Sequence, residues 1–183
     1  MMQAVVTVLV ALITVFFSGI LLESYKRHRD RQGVAAVLGA EITSILHITE
    51  RGCVIENFAA LLPLLDEGTN VPFPQVYTME PSYGPIFERN IEKIGLLSTD
   101  VSVQVVKFYG YIFGLRSALR NLVSGAWEEH PRAANIKAAQ IRSGLMLWSE
   151  ATTIATPLVT NLRAISSEAW RPFPAFHKQW LRT

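Results

Sequence analysis

One cysteine, Cys53, stands in 183 residues, which excludes a disulfide-stapled scaffold. Charge of either sign is scarce: 17 Lys plus Arg oppose 15 Asp plus Glu, and none of them precedes Glu23. A net charge of +2 gives no basic footprint for nucleic acid, so no nucleic-acid partner is expected. Half of the residues are hydrophobic, too many for a disordered chain. No Gly-x-Ser-x-Gly elbow, phosphate-binding loop or dinucleotide fingerprint is present, so no reaction is indicated and the chain does not read as an enzyme. The four histidines, His28, His47, His130 and His177, fall in four separate segments. His47 and Glu50 have only the reversed order of a carboxylate-bridged metal motif, which points to a solvated helix face. Neither metal nor cofactor is expected. Cys53 lacks a recognisable base and reads as a small packing residue.

What is present is strongly segregated. Of the first 22 residues 17 are hydrophobic, and the remaining 161 have the apolar content of an ordinary soluble domain. Ala4 to Leu22 is a run of nineteen uncharged residues, about 28 Å as a helix against a hydrocarbon core of about 30 Å. A cleaved secretory signal would carry its cations before the apolar run; here Lys26, Arg27, Arg29 and Arg31 follow it. The expectation is an uncleaved anchor over residues 1–24, followed by a basic juxtamembrane segment, 25–33, that sets topology and touches lipid headgroups. By the positive-inside rule the N-terminus lies outside and the body is cytoplasmic. A cleaved signal and a buried soluble helix are the competing readings. Thr7, Ala11, Thr14 and Ser18 recur at four, three and four residues, a small-residue face along which membrane helices can pack. Hydroxyls of this kind also bond back to their own helix.

The body, residues 34–169, reads as all-α: an antiparallel helical bundle behind the N-terminal transmembrane helix. No proline occurs before Pro63, so anchor and first cytoplasmic helix can form one rod reaching Leu62, with Gly33 or Gly39 as places for a bend. Residues 68–85 hold four prolines and two glycines and read as a loop. A short helix is expected over Ile86–Ile94. After a cap at Ser98 or Thr99, the residues Val101, Val105, Phe108, Ile112, Leu115, Leu119 and Leu122 form a helix-packing seam that Gly125 closes. The last helix has a second seam, Ile141, Trp148, Ala155 and Leu162 with Leu145 or Gly144, Ala151, Leu158 and Ile165, and Pro157 inside it is expected to kink it.

The tail, residues 170–183, brings aromatic and cationic side chains together: Trp170, Phe173, Phe176 and Trp180 interleave with Arg171, His177, Lys178 and Arg182. It can fold back onto the bundle, lie at a membrane interface, or dock a partner.

Ile86 to Gly114, with Phe87-Glu88, Gly95-Leu96-Leu97 before a helix cap and Val106-Lys107-Phe108-Tyr109, resembles a segment of uncharacterised bacterial small proteins with one N-terminal membrane helix and a helical cytoplasmic region. The resemblance implies a prokaryotic inner-membrane protein and supplies no catalytic residues. Membrane lipid, a second copy of the chain, or another membrane protein are the expected partners. The functional expectation is a single-pass protein with a cytoplasmic interaction or scaffolding bundle that self-associates through the stripe and seams. The alternatives are an oligomeric membrane effector or pore subunit acting in stress or phage defence, and a ligand-sensing bundle.

Overall fold

The computed structural model describes residues 2–73 and 84–170, and among these every regular element is helical. The first helix, α1, is Met2–Arg51, unbroken through Gly33 and Gly39. Fifty residues at 1.5 Å each make a rod of about 75 Å. Residue composition divides it. Val15, Phe16 and Leu12 are more than 60% exposed, whereas Val34, Leu38, Ile42 and Ile45 on the same rod are buried.

The rod stops at Arg51, eleven residues short of the sequence expectation. Gly52 sits where an added Cβ would lie 3.1 Å from Val54 and 3.2 Å from the Ile48 carbonyl, so the chain turns here because no side chain obstructs it. Cys53 follows in the left-handed region, φ 46 and ψ 32, and is exposed rather than packed. Two short helices succeed it, α2 (Val54–Ala59) and α3 (Leu62–Asp66). Pro63 therefore opens α3 instead of closing the rod, since its missing N–H is no loss in a first helical turn.

Helix α4 (Pro85–Asn90) leads into a 3-10 segment, Ile91–Leu96, and then α5 (Thr99–Val123) begins behind Ser98. All seven seam residues of α5 are buried. Gly125, at φ +70, follows its end. The final helix, α6 (Ala133–Ser166), continues through Pro157, which lies on its exposed side.

Helix α6 is the common partner of α1 and α5. A Cβ on Gly144 would meet Leu115 at 3.2 Å, one on Gly114 would meet Leu147 at 3.0 Å, and one on Gly39 would meet Leu162 at 3.5 Å. Glycine thus lets three helices approach closely. Two apolar clusters result. One joins α1 and the α4 region to the first half of α5 and the second half of α6, around Leu38, Phe108 and Leu158. The other joins α2, α3 and Phe73 to the remaining halves, around Leu65, Leu119 and Ile141.

Candidate functional site

Three places concentrate polar chemistry. The first is where α1 leaves its apolar stretch. Arg27 Nε lies 3.3 Å from Glu23, a fully solvated pair of little energetic weight, while Lys26 and Arg29 are exposed. Just beyond, α1 captures the end of α6. Gln32 Nε2 donates to the Ser166 carbonyl at 3.2 Å and the Glu168 carbonyl at 2.7 Å, and His28 Nε2 lies 3.0 Å from the same Glu168 carbonyl. A helix end leaves carbonyls without intrahelical donors, and here side chains from another helix supply them. Arg31 adds an ion pair to Glu168 at 3.1 Å. Trp170 packs edge-on to Tyr25 with ring centroids 5.3 Å apart; its indole N–H is enclosed and finds no acceptor among the described residues. The last described residue of the chain therefore sits one turn beyond Leu22.

A second polar node is buried. Glu41, on the core side of α1, accepts the backbone N–H groups of Ile86 at 2.8 Å and Phe87 at 3.0 Å, and the Tyr109 hydroxyl at 2.5 Å. It satisfies the free donors at the start of α4 from outside that helix. Burial first, then the hydrogen bond and the negative charge of Glu41, push the Tyr109 hydroxyl far above its ordinary pKa. Phe87 stacks on the Tyr109 ring at 4.0 Å.

The third is Lys137, fully buried, whose ammonium donates to Asn70 Oδ1 at 2.8 Å, the Val71 carbonyl at 3.1 Å and Glu128 Oε1 at 2.6 Å. It lies 5.5 Å from the centre of the Phe73 ring. Asn70 also donates to the Glu128 carbonyl at 3.2 Å. This network ties the chain after α3 to the turn before α6.

Both nodes join separate segments of the fold; Glu41 and Lys137 are buried, and Glu128 is 37% exposed. Among the described residues no group of His, Cys, Asp and Glu side chains could hold a metal ion. An open groove of about 540 Å³ runs between α1 and α6, lined by small side chains of α1, including Ala36, Gly39, Ala40 and Thr43, and by Arg163 and Ser166.

The residues singled out from sequence are distributed unevenly. Thr14 and Ser18 are exposed, and their hydroxyls bond to the Val10 carbonyl at 2.8 Å and to the Thr14 carbonyl. The side chains of Thr7 and Ala11 lie outside the described residues, as do Arg171, Phe173, Phe176, Lys178, Trp180 and Arg182. Sequence reasoning missed Glu41 and Lys137. Each was marked by a charge set among apolar positions: Glu41 between Leu38 and Ile42, Lys137 between Ala134 and Ile141. Comparison with family models, with curated proteins and with solved structures returns no match.

Proposed function

We propose that this chain is a single-pass protein of a bacterial inner membrane whose cytoplasmic antiparallel helical bundle is a non-catalytic interaction or scaffolding module, self-associating through α1. The observation that carries the reading is the division of one continuous helix into an exposed apolar length, a charged collar and a core-forming length. Among the described residues one helix is long and apolar enough to cross a membrane. Cations after the apolar run favour an external N-terminus. The antiparallel arrangement draws support from the pairing order: His28 meets Glu168 while Gly39 meets Leu162, and Leu115 meets Gly144 while Gly114 meets Leu147.

Self-association draws on helical phase. Ser18 and Ala36 are eighteen residues apart, five full turns of a straight helix, so Thr7, Ala11 and Ser18 share a face with Ala36, Ala40 and Thr43. Tyr25 and Arg29 interrupt that face, which confines close helix approach to two stretches.

A fluorescent reporter fused after Thr183, together with carbonate extraction of membranes, tests the topology. Cytoplasmic fluorescence and retention in the pellet are expected. A signal obtained only from a periplasm-competent reporter, or release by carbonate, overturns the reading.

A further inference from the structure

We propose that the crevice between α4 and the second half of α5 binds a small soluble anion of the phosphate class, held by Arg116 and Arg120 with the Ser117 hydroxyl. The site is additional to the interaction surfaces proposed above, and only its separation from lipid rests on the anchor reading.

Helical spacing assembles it. Phe113, Arg116, Ser117 and Arg120 stand at i, i+3, i+4 and i+7, so they share one face of α5, while Leu115, Leu119 and Leu122 are buried on another. Glu88 of α4 lines the opposite wall, and the crevice has a volume of about 270 Å³. That suits a small ion or a phosphorylated group and falls below the range of sites for drug-sized ligands.

Charge in the crevice is unbalanced. Arg116 is half-buried, its Nε is enclosed without an acceptor, and among the described residues neither arginine forms an ion pair. The Ser117 hydroxyl makes no hydrogen bond among them either. Two like charges one turn apart on a helix repel, and a half-buried guanidinium without a counter-charge is costly. An anion between them relieves both. Glu88 does not take that place, for its side chain is exposed and pairs with neither arginine. Guanidinium forks match oxyanions, and a phosphate group has acceptor oxygens for both arginines and the serine where a carboxylate has two.

Position separates a soluble source from a lipid one. Glu41, which holds the start of α4, lies nineteen residues past Leu22, about 28 Å along the helix axis. Tyr109 bonds to the same Glu41, and Arg116 follows Tyr109 by two turns, in the direction that the antiparallel arrangement takes away from the membrane. A lipid phosphate stays out of reach.

The test titrates the full detergent-solubilised chain with sodium pyrophosphate, and separately with inorganic phosphate and with acetate, by calorimetry at constant ionic strength. Saturable binding of one pyrophosphate per chain is expected, with phosphate weaker and acetate weakest. Arg116→Gln should weaken pyrophosphate binding by about tenfold or more and Arg120→Gln severalfold, because each removes a charge-assisted contact. Lys107→Gln removes the same charge from an exposed position on α5 and should leave the affinity unchanged. Glu88→Gln takes a repelling carboxylate from the wall and should tighten binding severalfold, a gain that a misfolded variant does not produce. Absence of saturable binding overturns the proposal. So does an equal loss in Lys107→Gln, unchanged affinity in both arginine variants, or acetate bound as tightly as pyrophosphate. Repeating the titration in vesicles separates the sources: affinity should match in neutral and anionic lipid, and competition by anionic lipid assigns the crevice to a headgroup and overturns the soluble ligand. A chain that fails to float with the vesicles sinks the anchor reading, while the detergent titration still decides the crevice.

Discussion

Glu41 and Tyr109, sixty-eight residues apart in the chain, meet at 2.5 Å inside the first apolar cluster, and the same carboxylate holds the first turn of α4. One acidic side chain thereby joins α1, α4 and α5. Replacing Glu41 by Ala strands two backbone N–H groups and one hydroxyl away from water, and a loss of roughly 3–5 kcal/mol is expected from that desolvation and the cavity. Glu41→Gln keeps one acceptor oxygen and should lose less than half as much. Urea denaturation of detergent-solubilised protein measures both. Equal losses would show that a single acceptor oxygen gives no rescue and would refute the graded ordering.

Tyr109 adds a pH dependence whose sign is fixed. Its folded pKa is raised, so in alkali the unfolded chain releases the proton while the folded chain retains it. The stability Tyr109 contributes is complete below the ordinary tyrosine value of about 10 and declines above it, by about 1.4 kcal/mol per pH unit. Unfolding midpoints between pH 9 and 11.5 should fall more steeply for the unmodified protein than for Tyr109→Phe, which has no proton to lose there. Parallel slopes would mean that the hydroxyl is not shielded.

Lys137 and Glu128 are paired at 2.6 Å but are buried unequally, 0% against 37% exposed. Removing the exposed partner leaves a buried cation without its counter-charge; removing the buried one leaves a carboxylate that water can reach. Glu128→Gln should therefore destabilise by about 3 kcal/mol, and Lys137→Met by less. The double variant should recover most of the Glu128→Gln loss. Chemical denaturation of the four proteins closes the cycle; simple additivity of the two losses would refute the coupling, and a loss in Lys137→Met as large as that in Glu128→Gln would refute the inequality.

Cys53 occupies the left-handed region, where a β-carbon costs about 1–2 kcal/mol. Glycine avoids that strain but adds unfolded-chain freedom of about 0.5–1 kcal/mol. Cys53→Gly should thus stabilise by up to about 1 kcal/mol, and Cys53→Val should destabilise, because a branched side chain fits this conformation worst. Thermal denaturation of both variants checks the order.

Much of the helical framework was legible where apolar spacing alone decides it. Every seam residue from Val101 to Leu122 is buried, because a helix lying along another must hide the residues that recur every three or four positions. The break at Gly52 was not legible: a single glycine inside an apolar pattern is ordinarily tolerated, and what marks this one is that a Cβ here would lie 3.1 Å from Val54 and 3.2 Å from the Ile48 carbonyl. Glu41 and Lys137 stood out as charges in apolar surroundings, yet their acceptors and donors lie nine to sixty-eight residues away and local spacing does not name them. The clamp on α6 was hidden for the same reason. His28, Arg31 and Gln32 read as a basic, polar collar until Glu168 is placed beside them.

If two copies associate along α1, contact should follow helical phase rather than exposure. Ala40 lies on the face shared with Ser18, whereas Leu64 is exposed on a different helix, α3. In a Cys53→Ser background, Ala40→Cys should form a disulfide-linked dimer in oxidised membranes and Leu64→Cys should not. Ala36→Leu, which fills the small-sided groove beside Ala40, should weaken the Ala40→Cys crosslink severalfold without altering membrane retention, because close approach of two helices needs small side chains where they meet. Crosslinking at both cysteines would indicate collision in the membrane plane, and crosslinking at neither would place the self-association surface elsewhere than α1.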